Sequence, residues 1–336
     1  MKNIVKAASV GLIGLLAACG SLNSQGTPSS LTATSPEVQA TASAALDDLN
    51  TTAAMLDSSV SGASLRAGAS VQGVNSLEAA ALSWNIPPRI YALLRDLGIW
   101  IPVRGTTAAA GCTITVNTSS TAPQYTVSFN CTGTSPLDTR SYATTGEIDL
   151  TYQNGSNENA GFSAAFKGFD TLITFSDKSS IERKLDGTLA LDKSAWLADP
   201  TKPWNIQKSY TDTRTRKDTS GTTLFSGQNV FSVSKTYQPD SQATPGAAGL
   251  ITIAQSAPGS DAFTNLLNSK TRSLSFYTNP TIHYNSACSA APRFDAGEKD
   301  YLFTSSSGVQ STLAIKFSGC GSYTITFNGG TVPTTN

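Results

Sequence analysis

His283 is the only histidine in the chain. A Ser-His-Asp or Cys-His site must use it or do without. It sits in the strand-like run Thr281-Ile282-His283-Tyr284-Asn285, with no Gly-x-Ser-x-Gly elbow elsewhere. It therefore reads as a partly exposed strand histidine, since nothing completes a catalytic unit around it. Ser232-Val233-Ser234-Lys235 has the Ser-x-x-Lys spacing of an acylating serine. That chemistry needs both side chains on one helix face, whereas Phe231, Val233, Lys235 and Tyr237 alternate as in a strand. The match is read as chance. Lys208, Asp212, Arg214, Arg216 and Asp218 share one parity and read as a solvated strand face of mixed sign. Asp47-Asp48 and Asp199 lack calcium-loop spacing, and no phosphate-binding glycine loop is present. Trp196 and Trp204 bracket a loop. They are ligand-binding candidates through ring stacking, or they pin that loop to the domain. No catalytic residue, metal site or cofactor is expected, and the chain is not read as an enzyme.

Five cysteines remain to be explained. If Ile114 faces Phe129 across a hairpin, Val116 faces Val127, Thr118 faces Tyr125, and Cys112 falls opposite Cys131. A second hairpin pairs Phe317 with Tyr323, Ile315 with Ile325 and Leu313 with Phe327. Cys320 then lies at the turn, within reach of Cys288. Two disulfides, Cys112–Cys131 and Cys288–Cys320, are the expectation. Zinc is a poor alternative without a Cys-x-x-Cys pair.

Cys19 ends the run Leu16-Ala17-Ala18-Cys19, behind an apolar stretch from Ala7 and two lysines, Lys2 and Lys6. Charged, apolar, small, processing site is the order of an export signal. The apolar run is too short to span a bilayer, which takes about 18–20 residues. The segment resembles the lipobox of bacterial lipoproteins, over residues 1 to about 20 only. The resemblance implies removal of residues 1–18, a diacylglyceryl thioether on Cys19, and acylation of the new amino group. Two or three acyl chains (palmitate, for example) anchor stably where one does not. It also implies a place in the cell envelope, facing the periplasm in a diderm host. Gly20 is not the aspartate that retains such proteins at the inner membrane, so the outer membrane is favoured. The expected partner is the lipid bilayer, through acylated Cys19.

Lysine plus arginine and aspartate plus glutamate each number 23. Removal of residues 1–18 takes two lysines and no acid, leaving 21 against 23. A near-neutral chain without a basic patch argues against nucleic acid as a partner. Residues 19–34 are the lipidated cysteine and a Ser/Thr/Gly/Asn/Pro tether. Residues 35–100 read as an Ala-rich helical region. Ser35 and Pro36 open a first helix, and Val38, Ala42, Ala45, Leu49, Ala53 and Leu56 recur at helical spacing. A second helical stretch, 76–97, follows. Both are too weakly apolar to stand alone and must dock on something.

From 110 to 336 the period becomes two. Ile148, Leu150 and Tyr152, then Leu185, Leu189 and Leu191, then Leu313, Ile315 and Phe317 alternate with polar residues. Roughly 11–13 strands are expected. The fold class is mainly β with an α-helical N-terminal region: a large antiparallel curved sheet, open barrel or sandwich, taken as one domain. Two roles follow. One is a membrane-anchored envelope lipoprotein with a non-enzymatic structural or interaction role. The other is a carrier or binding protein for a lipid or other apolar ligand, by analogy of architecture alone.

Overall fold

The computed structural model describes residues 31–34, 36–60, 111–134, 140–153, 160–267, 269–289, 293–304 and 310–333. The signal segment with Cys19, and the helical stretch expected at 76–97, lie outside them. No helix among the described residues is long and apolar enough to cross a membrane.

Among the described residues the long helix is α1 (Pro36–Val60), which begins at the proline that suits a first turn. Its predicted stripe is the buried one: Val38, Ala42, Ala45, Leu49, Ala53 and Leu56 are all buried. Among the described residues from Gly111 on, the regular elements are strands and the short helix α2 (Ser194–Ala198). The strands are β1 (Gly111–Thr118), β2 (Tyr125–Thr134), β3 (Ser141–Tyr152), β4 (Gly161–Thr174), β5 (Ser180–Asp192), β6 (Trp204–Lys217), β7 (Thr223–Pro239) and β8 (Ala248–Thr252). There follow β9 (Gly259–Asn265), β10 (Lys270–Thr278), β11 (Ile282–Asn285), β12 (Phe294–Thr304), β13 (Gln310–Gly319), β14 (Ser322–Phe327) and β15 (Gly330–Thr331). All fifteen belong to one sheet. The expected count of roughly 11–13 leaves out the short strands β8 and β15, which are too short to carry a visible alternation.

The chain divides into two compact units, and β7 passes from one to the other at Val233/Ser234. The first unit holds the described residues within 1–53, 234–261 and 272–336. Its strands run β7, β8, β11, β12, β13, β14, β15, each antiparallel to the next. The start of β12 pairs with β11 and its end with β10. The second unit holds the described residues within 54–233 and 262–271, with β1 to β7 in sequence order. Both hairpin registers expected from the two-residue period are found. Cys112 lies opposite Cys131 with Ile114 opposite Phe129, and Phe317 lies opposite Tyr323 with Leu313 opposite Phe327.

Directly opposed residues share a sheet face, and in the first unit that rule defines a continuous apolar surface. Tyr237 opposes Ile251, and Ile251 opposes Ile282. Phe276 opposes Tyr301, Tyr301 opposes Leu313, and Leu313 opposes Phe327. All of these are buried. Gly297 lets β12 lie close to its neighbour. With φ +102°, a Cβ there would stand 2.2 Å from the Thr281 carbonyl oxygen.

Candidate functional site

The apolar face of the first unit carries two lysines where the strand period calls for hydrophobic side chains. Lys235 precedes Tyr237 by two residues on β7, and Lys299 precedes Tyr301 and Phe303 on β12. Parity therefore turns both ammonium groups inward. Each lies 2.7 Å from Asp48 Oδ2 on α1, and the three side chains are 0%, 0% and 1% exposed. Lys235 Nζ also donates to Thr52 Oγ1 at 2.8 Å, and that hydroxyl donates to the Asp48 carbonyl one helical turn back. Lys299 Nζ lies 4.4 Å from the Phe276 ring centre and 4.8 Å from that of Tyr301. Cation–π attraction thus supplements its ion pair.

Burial pulls Lys299 down to about 8, the neighbouring Lys235 charge adds to the fall, and Asp48 opposes it. Lys235 is lowered too, by burial against the pull of Asp48. A buried ion pair is weak evidence for net stability, but losing one partner costs several kcal/mol. The cluster therefore fixes where α1 sits on the sheet. None of the three was singled out in the sequence for this role. The signal was there: Asp48 and Thr52 fall at helical spacing between Ala45, Leu49 and Leu56, and both lysines fall on core parity.

On the opposite face of the same strands, His283 lies between two carboxylates. Its Nδ1 is 2.5 Å from Asp295 Oδ1 and its Nε2 is 2.8 Å from Asp240 Oδ2. Burial disfavours the charged ring, but the hydrogen bonds to Asp240 and Asp295 outweigh it and raise the pKa. A protonated ring donates from both nitrogens. Asn285 Nδ2 donates to Asp295 Oδ2 at 2.8 Å. The ring nitrogens are thus spoken for by structural contacts, and no nucleophile joins them among the described residues. Close by, Cys288 and Cys320 form the expected disulfide, with Cα atoms 5.1 Å apart. The two sulfurs and an Asp295 oxygen lie within 4.8 Å of one another. A disulfide offers no thiolate, so the closed bridge is a poor metal ligand.

In the second unit the mixed-charge strand is not a solvated face. Asp212 is 4% exposed, and Lys208 is buried. Their cross-strand neighbours on β5 are Leu185 and Leu189, which are core residues. Asp212 takes two hydrogen bonds from Arg183, at 3.0 and 2.9 Å, and two from Arg214, at 3.1 and 2.8 Å. Burial opposes its charge, yet the two guanidinium groups hold the carboxyl at about 2. A polar residue on core parity is acceptable where charge meets charge in this way, which parity alone does not reveal. Trp196 and Trp204 meet edge to face at 6.0 Å. Trp204 is 2% exposed, with Lys193 Nζ 4.9 Å from its ring centre, so it pins the loop. Ser232 is exposed and Lys235 buried, and the two share no catalytic face.

Cys112 opposes Cys131 along the backbone, and Cys131 is buried. The side chain of Cys112 lies outside the described residues. No protein-family model, curated protein or solved structure matches this chain.

Proposed function

We propose that the chain is a lipid-anchored protein of the bacterial cell envelope whose folded part works by binding a lipid or other apolar molecule, without catalysis. Acylated Cys19 would hold it in the bilayer, in the outer membrane of a diderm host. The observation that carries the binding role is the apolar, aromatic sheet face of the first unit, on which α1 is fixed by one carboxylate. Apolar contacts are non-directional. An acyl chain can therefore pack on this face as apolar side chains do, while the Asp48 cluster keeps α1 anchored over it. In this reading α1 is the cover of the binding face.

The test is a soluble chain that starts after Cys19. It should co-purify with a hydrophobic molecule in native mass spectrometry, or bind an apolar fluorescent probe saturably in the folded state. Neither bound lipid nor saturable probe binding would leave a structural or interaction role as the better account. The anchor is tested separately. Cys19→Ala should leave an unprocessed precursor, and an unlipidated wild-type mature chain would refute the anchoring.

A further inference from the structure

We propose that Cys288, Cys320 and Asp295 form a binding site for a soft divalent cation of the zinc class in the dithiol form of the protein. This stands apart from the apolar-ligand reading. The three donors come from separate parts of the first unit: the turn after β11, the start of β12, and the β13–β14 turn. In the oxidised chain they lie within 4.8 Å of one another with the two sulfurs bonded, and the backbone holds the two cysteine Cα atoms 5.1 Å apart. Two thiolates and a carboxylate are a donor set that suits zinc, and water can complete a tetrahedron.

The surroundings support ligation. Asp295 is oriented through both oxygens, Oδ1 toward His283 Nδ1 and Oδ2 toward Asn285 Nδ2. Each carboxylate oxygen keeps a further lone pair for a metal. Such outer partners commonly set the direction and basicity of a ligand. Cys288 is 2% exposed whereas Cys320 is exposed at its turn, so the site has a dry floor and an open side for entry.

The chain is synthesised with thiols, so the site precedes the disulfide. Binding releases two protons as two thiols become metal-bound thiolates. Closure then needs a disulfide oxidant of the thiol oxidoreductase class. The two sulfurs join and lose two electrons, the oxidant's disulfide gains them with two protons as two thiols, and the cation leaves. Metal and disulfide are thus alternative occupants of one pair of sulfurs.

The test uses the mature chain, reduced with a phosphine and titrated anaerobically with Co2+. One equivalent should bind, with a thiolate-to-cobalt charge-transfer band and tetrahedral d–d absorption, and Zn2+ should displace it. The oxidised chain should show neither band. The Cys288→Ser, Cys320→Ser chain should show no charge-transfer band, and Asp295→Asn should weaken binding at least tenfold. His283→Gln, which removes a support of Asp295 without removing a metal donor, should weaken it by about 10–100-fold. A Cys112→Ser, Cys131→Ser chain should bind as the parent does. The proposal is overturned if the reduced chain takes up no Co2+ or if Asp295→Asn binds equally well. Loss of far-UV circular dichroism on reduction would overturn it too, because the three donors would then not be brought together.

Discussion

Replacing Asp48 by asparagine keeps the shape of the side chain and removes the charge that two buried lysines share. Both ammonium groups are fully buried, and each has its 2.7 Å contact to the same oxygen. Lys235 keeps Thr52, and Lys299 keeps the rings of Phe276 and Tyr301. Those contacts offset part of the loss but do not neutralise charge. Breaking a buried pair typically costs 3–5 kcal/mol, so a value of about 4 kcal/mol is expected, or a factor of about 10³ in the folding equilibrium. With a urea slope of about 2 kcal/mol/M, the midpoint should fall by about 2 M. Urea unfolding by circular dichroism measures the loss, and hydrogen exchange in the α1 peptides locates it. The triple change Asp48→Leu, Lys235→Met, Lys299→Met should recover most of the stability, since an apolar replacement of a buried ionic cluster is often neutral or better. An Asp48→Asn protein within 1 kcal/mol of the parent would refute the reasoning, because the charges would then be reached by water or neutralised elsewhere.

Lys299 is held at about 8 in the folded chain against an ordinary 10.5. Between these values the unfolded chain binds more protons, so stability should rise with pH across that interval. The rise should be absent in Lys299→Met; an identical pH profile would count against it. Asp212 is depressed from 3.8 to about 2. The stability it contributes is full above its unfolded value and disappears as pH falls through about 2. Asp212→Asn should cost about 3 kcal/mol at neutral pH and flatten the acid limb of the stability curve. Non-reducing peptide mapping should recover Cys112 joined to Cys131; a Cys112–Cys288 or Cys112–Cys320 peptide would refute the pairing.

The two-residue period shows which face of a strand is inside, and it does so without reference to what the side chain is. Hairpin register was therefore legible: Leu313, Ile315 and Phe317 admit one alignment with Tyr323, Ile325 and Phe327 that keeps both sets on the core side. The Cys288–Cys320 bridge followed from the same alignment. Charged residues on core parity are where such reading stops. Lys208, Asp212, Lys235 and Lys299 all obey the period of their strands and all are buried. A sequence pattern reads each as an outward face or a break, because burying one charge alone is prohibitive. Each becomes tolerable only beside its partner. The partner of Lys235 is 187 positions away in the chain, and that of Lys299 is 251 away. No local period carries information across that distance. What can be read locally is the anomaly itself: a lysine two residues from a tyrosine on an otherwise apolar strand face, and an aspartate set into an apolar helix stripe. When strand and helix anomalies of opposite sign occur in one chain, the physical expectation is that they meet. Here they do, at Asp48.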